Sequence, residues 1–281
     1  MSRVDPPPFF QRAPRARLAG GSFLFACAIV LAALLTAVSA RAQHCQGLAA
    51  EPSARGVELS LRSEAARFRT DRYEGDYQGL FVRGAWRSRR LSAQLSAPYY
   101  HIVRNGLGAR GFGDVLLDGR LELMHERSAP LHGAALLALS LPTGDSAHDL
   151  GMAHWMLAPG ASGSVSVDRY SFELRGSYAR SFGGGARHQH APGAFPIVEP
   201  MNHSELDGAL RATARANRVF STRLALYGAL PLPASEGVAR AAASFAGDLR
   251  IQSARFSLEA HLPLLGDAFR GKIAAELGFA F

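Results

Sequence analysis

Short segments in which apolar and polar side chains alternate recur along most of this 281-residue chain. In one of them, Leu117 and Leu121 fall on one face of an extended chain. Asp118 and Arg120 fall on the opposite face. As a helix, such a segment would scatter its charges around the whole circumference. The alternation therefore restricts the chain to a protein built of strands, each with one apolar face and one charged face.

Twelve segments follow this pattern and predict about twelve antiparallel strands. Their spans are 55–63, 77–87, 90–98, 113–125, 131–141, 154–167, 169–180, 204–216, 219–230, 239–252, 255–262 and 271–281. Short turns at 88–89, 126–130, 168, 217–218 and 253–254 alternate with longer loops at 64–76, 99–112, 142–153, 181–203, 231–238 and 263–270. Bacterial outer-membrane barrels show the same alternation of short periplasmic turns and longer outside loops.

The N-terminal segment has the organisation of a secretory signal. Its first 20 residues carry four arginines and one acidic residue, and an apolar run of about 16 residues follows at 23–38. Ala40-Arg41-Ala42 then provides small residues for cleavage before Gln43. A membrane anchor is the alternative, but the run is short for a spanning helix. We predict a signal peptide at 1–42 and a barrel domain at 43–281.

Composition excludes several other classes of protein. The chain is 48% hydrophobic and 19% charged, which argues against disorder. Its formal net charge of +8 would suggest nucleic acid, but residues 1–42 hold five arginines and one aspartate. The remaining chain keeps 26 of the 31 basic and 22 of the 23 acidic residues, so half of the excess disappears with the signal. We expect no nucleic-acid partner, and with Cys45 alone remaining, no intramolecular disulfide.

If the chain beyond residue 42 lies in a membrane, it must form a closed barrel. Beyond residue 42 the richest apolar run, 134–141, spans 8 residues and is too short for a spanning helix. Lipid offers no hydrogen bonds, so only helices and closed barrels cross it. A soluble sandwich or lipocalin-like barrel is the alternative, but small soluble barrels close with about eight strands. We predict an all-β fold, an antiparallel transmembrane β-barrel of about twelve strands in the bacterial outer membrane.

The last predicted strand suggests how such a barrel would be recognised. Residues 271–281 alternate to the end of the chain and finish on the aromatic Phe281. This pattern looks like the signal read by the barrel assembly machinery. We therefore expect that machinery and outer-membrane lipid as partners.

Two motifs in the middle of the chain resemble a known family. Residues 111–117 read Gly-Phe-Gly-Asp-Val-Leu-Leu, and residues 139–145 read Leu-Ser-Leu-Pro-Thr-Gly-Asp, followed by Leu150-Gly151 and Trp155. They resemble the outer-membrane barrels of the meta-pathway of phenol degradation family, most clearly over 105–180. The resemblance implies a barrel associated with the uptake of aromatic or hydrophobic compounds.

The residues of these motifs also have a structural interpretation. Gly111 and Gly113 permit a tight start to a strand, and the Asp114 carboxylate can cap the adjoining turn. Pro142 lacks an N–H and ends a ladder, after which residues 143–145 form a turn. A structural role for the motifs is favoured over a ligand-binding one.

The polar faces of the strands define a predicted lumen. Its lining residues are Asp118, Arg120, Glu122, Glu173, Arg175, Asp207, Arg211, Arg223, Asp248 and Arg250, with Arg83, Glu259, His261, Lys272 and Glu276 on the same faces. The charges would either line an open polar pore or pair into a plugged interior. We predict passage or binding of small molecules, with hydrophobic or aromatic compounds as candidates. The alternative is a non-transporting surface scaffold or partner-binding barrel.

Metal binding and catalysis are weaker hypotheses. His188 and His190 form an H-x-H pair that His203 could complete into a divalent metal site, but glycines and prolines around them favour an irregular loop. An outer-membrane lipid hydrolase would need a serine–histidine pair. Ser257 precedes His261 by four residues, about 13 Å at strand rise, which is too far for direct pairing. We expect no enzyme activity, no metal and no cofactor.

Overall fold

The computed structural model describes residues 56–69, 74–123, 131–148, 150–183, 203–233, 238–266 and 269–281. All of them belong to one compact unit. Its strands are β1 Gly56–Arg69, β2 Glu74–Arg87, β3 Leu91–Arg104, β4 Leu107–Phe112, β5 Val115–Glu122, β6 Leu131–Leu141, β7 Trp155–Val167, β8 Tyr170–Phe182, β9 Ser204–Arg215, β10 Phe220–Pro231, β11 Arg240–Ile251, β12 Ala254–Leu265 and β13 Phe269–Ala280. A short 3₁₀ helix, Ser146–His148, lies between β6 and β7. No helix within these ranges is long and apolar enough to cross a membrane.

Antiparallel pairing closes the strands into a ring. Each strand pairs with its neighbours in the chain, and β1 pairs with both β2 and β13. β4 and β5 both pair with β3, one along its second half and the other along its first. They form one interrupted wall strand, so the wall has twelve strands. The predicted fold class and strand number are confirmed.

Burial alternates along the strands and distinguishes the two faces of the wall. On the outer face, large apolar side chains are exposed, and Val82 and Leu174 are 59% and 65% accessible. The inner face carries buried charged and small side chains instead. A soluble barrel would show the reverse arrangement, whereas an apolar exterior is what a lipid-facing wall requires. The outward apolar residues include Val57, Leu59, Leu61, Leu80, Leu95, Leu117, Leu121, Leu224, Phe245, Leu258, Ile273 and Leu277.

Three predicted loops are largely strand, and the expectation of long irregular loops there was wrong. Residues 64–69 and 74–76 belong to β1 and β2, residues 99–104 and 107–112 belong to β3 and β4, and residues 263–265 and 269–270 belong to β12 and β13. In β1 the reason is a reversal of polarity, because Phe68 now points inward and Arg67 and Arg69 point outward. Above the lipid-facing band the wall meets water outside and apolar side chains inside. The apolar side chains therefore change from the outer to the inner face of the strand at this level. A prediction that follows one apolar face ends the strand there.

The β3–β4 hairpin turns on two residues. Asn105 and Gly106 both have positive φ, 46° and 84°, as the mirror-image turn of a two-residue hairpin requires. Asn-Gly is the dipeptide that favours this turn, so the sequence contained a signal for the hairpin.

The two ends of the barrel differ. The described ends of the chain meet at one end, where Phe281 donates its backbone N–H to the Val57 carbonyl oxygen. The short turns after β2, β7, β9 and β11 lie at this short-turn end, which corresponds to the periplasmic side of outer-membrane barrels. The connections after β6, β8 and β10 lie at the opposite, long-loop end. The predicted signal peptide at 1–42 and the histidines His188 and His190 lie outside the described residues.

The lipid-facing band can be tested with two substitutions on one strand. Val82→Arg places a charge against lipid and is expected to lower the free energy of unfolding by about 2–4 kcal/mol. Gln78→Arg lies on the same outward face of β2, beyond the apolar band, and is expected to cost less than about 1 kcal/mol. Denaturant unfolding of the barrel in phospholipid vesicles measures both. Equal losses would contradict the position of the band.

Candidate functional site

Ion pairs between strands that are not neighbours identify the inside of the barrel. Arg120 of β5 donates to Glu173 of β8 at 2.8 Å, across the two strands between them. Arg62 of β1 donates to Glu259 of β12 at 3.1 Å, across β13. Such contacts can form only on the concave side of a closed wall. The charged faces of the strands therefore meet in the lumen.

One side of the lumen, along β12, β13, β1 and β2, is filled by a buried ion-pair network. We call it the Glu64 network; its members are Glu58, Arg62, Glu64, Arg83, Arg255, Glu259, His261, Lys272 and Glu276. Every side chain in it except Glu58 is at most 10% exposed. Four carboxylates face four arginine or lysine cations, with His261 beside them, so the network is balanced in charge.

The Glu64 carboxylate is shared by several donors of this network. It accepts hydrogen bonds from Arg62 Nε at 2.7 Å and Lys272 Nζ at 2.9 Å. The Tyr77 hydroxyl donates to it at 3.4 Å. Towards the short-turn end, Glu276 accepts from Arg83 and Arg255 at 3.1 and 2.8 Å. Removing one partner of such a buried pair typically costs about 3–5 kcal/mol, because an uncompensated charge remains.

An aromatic cluster lies above the Glu64 network, towards the long-loop end. Its members are Ala66, Phe68, Tyr77, Phe81, Tyr100, Ile102, Leu150, Met152 and Phe269. The Tyr77 ring contacts Tyr100 and Phe269 at centroid distances of 5.8 and 5.3 Å. Seven members come from the wall strands β1, β2, β3 and β13, whereas Leu150 and Met152 come from the connection after β6. That connection therefore folds into the barrel.

The two sequence motifs hold this folded-in loop, residues 142–154, in place. The Asp114 carboxylate lies between β4 and β5 and is fully buried. One of its oxygens accepts the Gly144 N–H at 2.8 Å, and the other accepts the Met152 N–H at 2.7 Å. Val115 N–H donates to the Thr143 hydroxyl at 2.9 Å. Asp114 thus caps backbone 30 and 38 residues away, rather than only the adjoining turn that its sequence position suggested.

The loop packs so closely that side chains are excluded at its contact points. A Cβ added at Gly151 would lie 2.7 Å from both the Gly144 Cα and an Asp114 carboxylate oxygen. A Cβ at Gly144 would lie 2.8 Å from the Gly113 carbonyl carbon. Gly144 and Gly151 are therefore required by backbone contact, whereas a Cβ at Gly111 or Gly113 would meet the side chains of Leu150 and Tyr100 at 2.9 and 2.2 Å. These contacts support the structural interpretation of both motifs.

The exposed tip of the loop has its own hydrogen bonds. Asp145 accepts the N–H groups of Ala147 and His148 at 3.1 and 3.3 Å, and its other carboxylate oxygen contacts the His148 ring at 2.7 Å. The hydrogen bond with the His148 ring lowers the pKa of Asp145. Leu150 N–H donates to the Asp145 carbonyl oxygen at 2.8 Å, which directs the Leu150 side chain into the aromatic cluster.

The opposite side of the lumen carries charges that remain partly accessible. We call Arg120, Glu122, Glu173 and Arg211 the Glu173 group. Arg120 donates to Glu122 at 2.6 Å, and Arg211 donates to Glu173 at 3.2 Å. Their side chains are 13–26% exposed, although they lie inside the wall. The charged side chains are therefore buried along β12, β13, β1 and β2, whereas those along β5, β8 and β9 remain accessible to water.

The remaining predicted lining residues fall into three places. Asp118, Arg175 and Asp207 share the inward-facing parity of the Glu173 group and are partly exposed. Arg223 and Asp248 pair at 3.7 Å on β10 and β11. Arg250 has inward parity and lies exposed at the short-turn end of β11.

Several interior charges had been missed in the sequence. The predicted first strand ended at residue 63, so Glu64 was assigned to a loop. Arg62 and Arg255 are also absent from the predicted lining residues. The alternation does continue through Arg62, Glu64 and Ala66, so an extended first strand would have found them. Glu205 and Arg240 form a fully buried ion pair at the long-loop end. They lie in the predicted strands 204–216 and 239–252 and share the parity of Asp207 and Asp248, so the alternation also contained a signal for this pair.

Two weaker hypotheses can be placed in the structure. Within the described ranges, no group of three or more His, Cys, Asp or Glu side chains could hold a metal ion. Ser257 and His261 are both buried on the inner face of β12. The His261 Nε2 lies 3.3 Å from a Glu259 carboxylate oxygen. This serine and histidine therefore do not form a lipid-facing pair.

Comparison with known proteins identifies the fold. No family model and no curated protein matches the chain. Among solved structures, the NanC porin is similar with a TM-score of 0.50 and 12% identity, covering 79% of this chain and 98% of its own. The translocator domain of the autotransporter NalP from Neisseria meningitidis has a TM-score of 0.50 and 14% identity, covering 92% and 97%. With its closed wall and apolar exterior, the protein is an outer-membrane β-barrel.

Asp114→Asn tests how the folded-in loop is held. The amide can accept one of the two backbone N–H groups but presents its own N–H₂ to the other. We expect the Gly144 or Met152 amide to exchange about tenfold faster in hydrogen-exchange measurements, from a loss of about 1–3 kcal/mol. Asp76→Asn, at an exposed carboxylate of the same end, should leave these amides unchanged. Unaltered exchange in Asp114→Asn would contradict the assignment.

A pair of glycine substitutions tests the close packing of the loop. Gly151→Ala forces the loop away from Gly144, since the new methyl group overlaps backbone. Limited proteolysis in detergent should then cleave within 142–154 faster than in the wild type. Gly163→Ala is the matched control, because nothing lies within 4 Å of its added Cβ. Equal cleavage of both variants would show that the contact is dispensable.

Proposed function

We propose that the barrel provides a narrow, off-centre passage for small molecules through the outer membrane. The passage runs along the β5–β9 side of the lumen, beside the packed Glu64 network. The observation that carries the proposal is the uneven accessibility of the interior. Charged side chains of the Glu173 group are up to 26% exposed, whereas Lys272 and Glu64 across the lumen are 3% and 5% exposed.

Small side chains on the same side support a passage. Interior positions of β6 and β7 carry Ala134, Ser140, Ala158 and Ser162. Long arginine and glutamate side chains instead fill the interior along β12, β13, β1 and β2. A barrel of twelve strands has a wider interior than small barrels that side chains fill completely. These short side chains are themselves at most 7% exposed, because the Arg120–Glu173 pair spans the same two strands. The proposed passage therefore runs beside that ion pair, on its lumen side.

The cargo we propose is small and includes hydrophobic or aromatic compounds. The aromatic cluster and the folded-in loop narrow the long-loop end and present an apolar interior there. The resemblance of residues 105–180 to the meta-pathway of phenol degradation family points to the same compounds. Ordered, mixed charges further down the lumen would discriminate among cargo by charge.

A barrel without a transport role is the second candidate. The charge-balanced Glu64 network and the loop held by Asp114 would also suit a rigid scaffold that presents its outer connections to a partner. The two functions differ in one measurable property, since a scaffold with a filled lumen conducts no ions.

Conductance of the purified protein in planar lipid bilayers tests the passage. We expect discrete channel events for the wild type. Glu173→Gln removes a negative charge from the passage, so the reversal potential in a salt gradient should shift towards greater anion permeability. Leu174→Val is the control, because this neighbouring side chain faces lipid and is 65% exposed. Absence of channel events in the wild type would favour the scaffold.

A further inference from the structure

The short-turn end of the barrel is dominated by arginine. Among the described acidic side chains of this end, Asp168 is the one that is exposed. Glu58 and Glu122, near the same end, lie inside the lumen and accept from Arg255 and Arg120 at 2.8 and 2.6 Å. The exposed arginines in the turns of this end, which we call the arginine rim, are Arg89, Arg90, Arg169 and Arg218. Arg215 and Arg250 are also exposed at this end, but they share the inward parity of Arg211 and Asp248.

The opposite end is more nearly balanced in charge. Exposed arginines on β1 face exposed acidic side chains on β2 in the cross-strand register. Arg67 pairs with Asp76 at 3.5 Å, and Arg69 is aligned with Glu74. Within the described residues, the long-loop end exposes five arginines and three acidic side chains, whereas the short-turn end exposes six arginines and one acidic side chain. The excess of cations is therefore greater at the short-turn end.

Backbone pairing places the turns that carry Arg169 and Arg218 side by side. Arg215 donates its N–H to the Arg169 carbonyl oxygen at 2.8 Å, which joins the ends of β8 and β9. Arg250 donates to the Val219 carbonyl oxygen at 2.7 Å, next to Arg218 in the turn between β9 and β10. Arg89 and Arg90 form a second patch in the turn between β2 and β3.

Each part of the rim adjoins an outward aromatic side chain. The Arg169 guanidinium lies 5.8 Å from the centroid of the Tyr170 ring, which is 47% exposed on the apolar exterior. Phe220 follows Arg218 by two residues, and Trp86 lies shortly before Arg89, both exposed on the outer face. Aromatic side chains of membrane proteins concentrate at the level of lipid headgroups. The arginines therefore lie at the depth of the headgroup phosphates.

We propose that the arginine rim binds the headgroups of anionic phospholipids in the leaflet that faces the short-turn end. Guanidinium groups bind phosphate oxygens through two parallel hydrogen bonds, and they also stack on aromatic rings. The continuity of the rim with the lipid-facing exterior favours a lipid over a soluble anion. Bound headgroups would fix the depth of the barrel in that leaflet. This inference does not depend on the proposed passage.

Lipid retention by the folded protein tests the proposal. The wild type is reconstituted into nanodiscs of phosphatidylcholine with phosphatidylglycerol, released in the mass spectrometer, and scored for the lipids that stay bound. We expect preferential retention of phosphatidylglycerol. Two double variants, Arg89→Gln with Arg90→Gln and Arg169→Gln with Arg218→Gln, should each reduce that retention by about fivefold or more, since each surface cation contributes substantially to anionic-lipid binding.

The control carries the same change at the other end of the barrel. Arg69→Gln with Arg110→Gln replaces two exposed arginines at the long-loop end and should retain phosphatidylglycerol as the wild type does. All substituted side chains are exposed, and a heat-modifiable gel shift verifies that each barrel is folded. Equal retention of the two lipids by the wild type would overturn the proposal. An equal loss in the control and the rim variants would overturn it as well.

Discussion

Closure of the backbone hydrogen-bond ring in lipid is the constraint on which the other features of this barrel depend. A bilayer offers no partners for backbone N–H and C=O groups, so β1 must pair with β13 as well as with β2. Once the wall is closed, successive side chains of each strand point either outward to lipid or inward to the lumen. Apolar side chains reach lipid, and the charged side chains of the same strands are forced into the lumen.

Charges confined to a lumen must be paired or hydrated, and this barrel uses both solutions on opposite sides. Along β12, β13, β1 and β2, carboxylates and cations balance and exclude water. Along β5, β8 and β9, the Glu173 group pairs but stays accessible. The folded-in loop then covers the aromatic cluster above the packed side. The proposed passage therefore runs beside the network rather than along the barrel axis.

Alternation in the sequence was sufficient to predict the strand number, the closed wall and most inward-facing charges, because the period of a strand is a local property. The alternation did not predict the strand ends that extend beyond the lipid, where the outer face of the wall meets water. Phe68 points inward and Arg67 outward above the lipid-facing band, so the apolar face changes sides. The Asn105-Gly106 dipeptide predicts the turn of the β3–β4 hairpin, which alternation alone does not show.

Partners at long range could not be predicted from the sequence at all. Arg120 reaches Glu173 across two intervening strands, a contact set by the curvature of the wall. The Asp114 carboxylate was recognised as a capping group, but its partner Met152 lies 38 residues further along the chain. Local pattern identifies which side chains enter the lumen, whereas closure of the ring decides which of them meet.

An experimental structure in a lipid nanodisc, at a resolution that shows ordered water, tests the divided lumen most directly. We expect a continuous file of water along β5–β9 in contact with Arg120, Glu173 and Arg211. We also expect none between the paired side chains of the Glu64 network. Side-chain density that fills the β5–β9 side, or water that separates Glu64 from Lys272 and Arg62, would contradict the account.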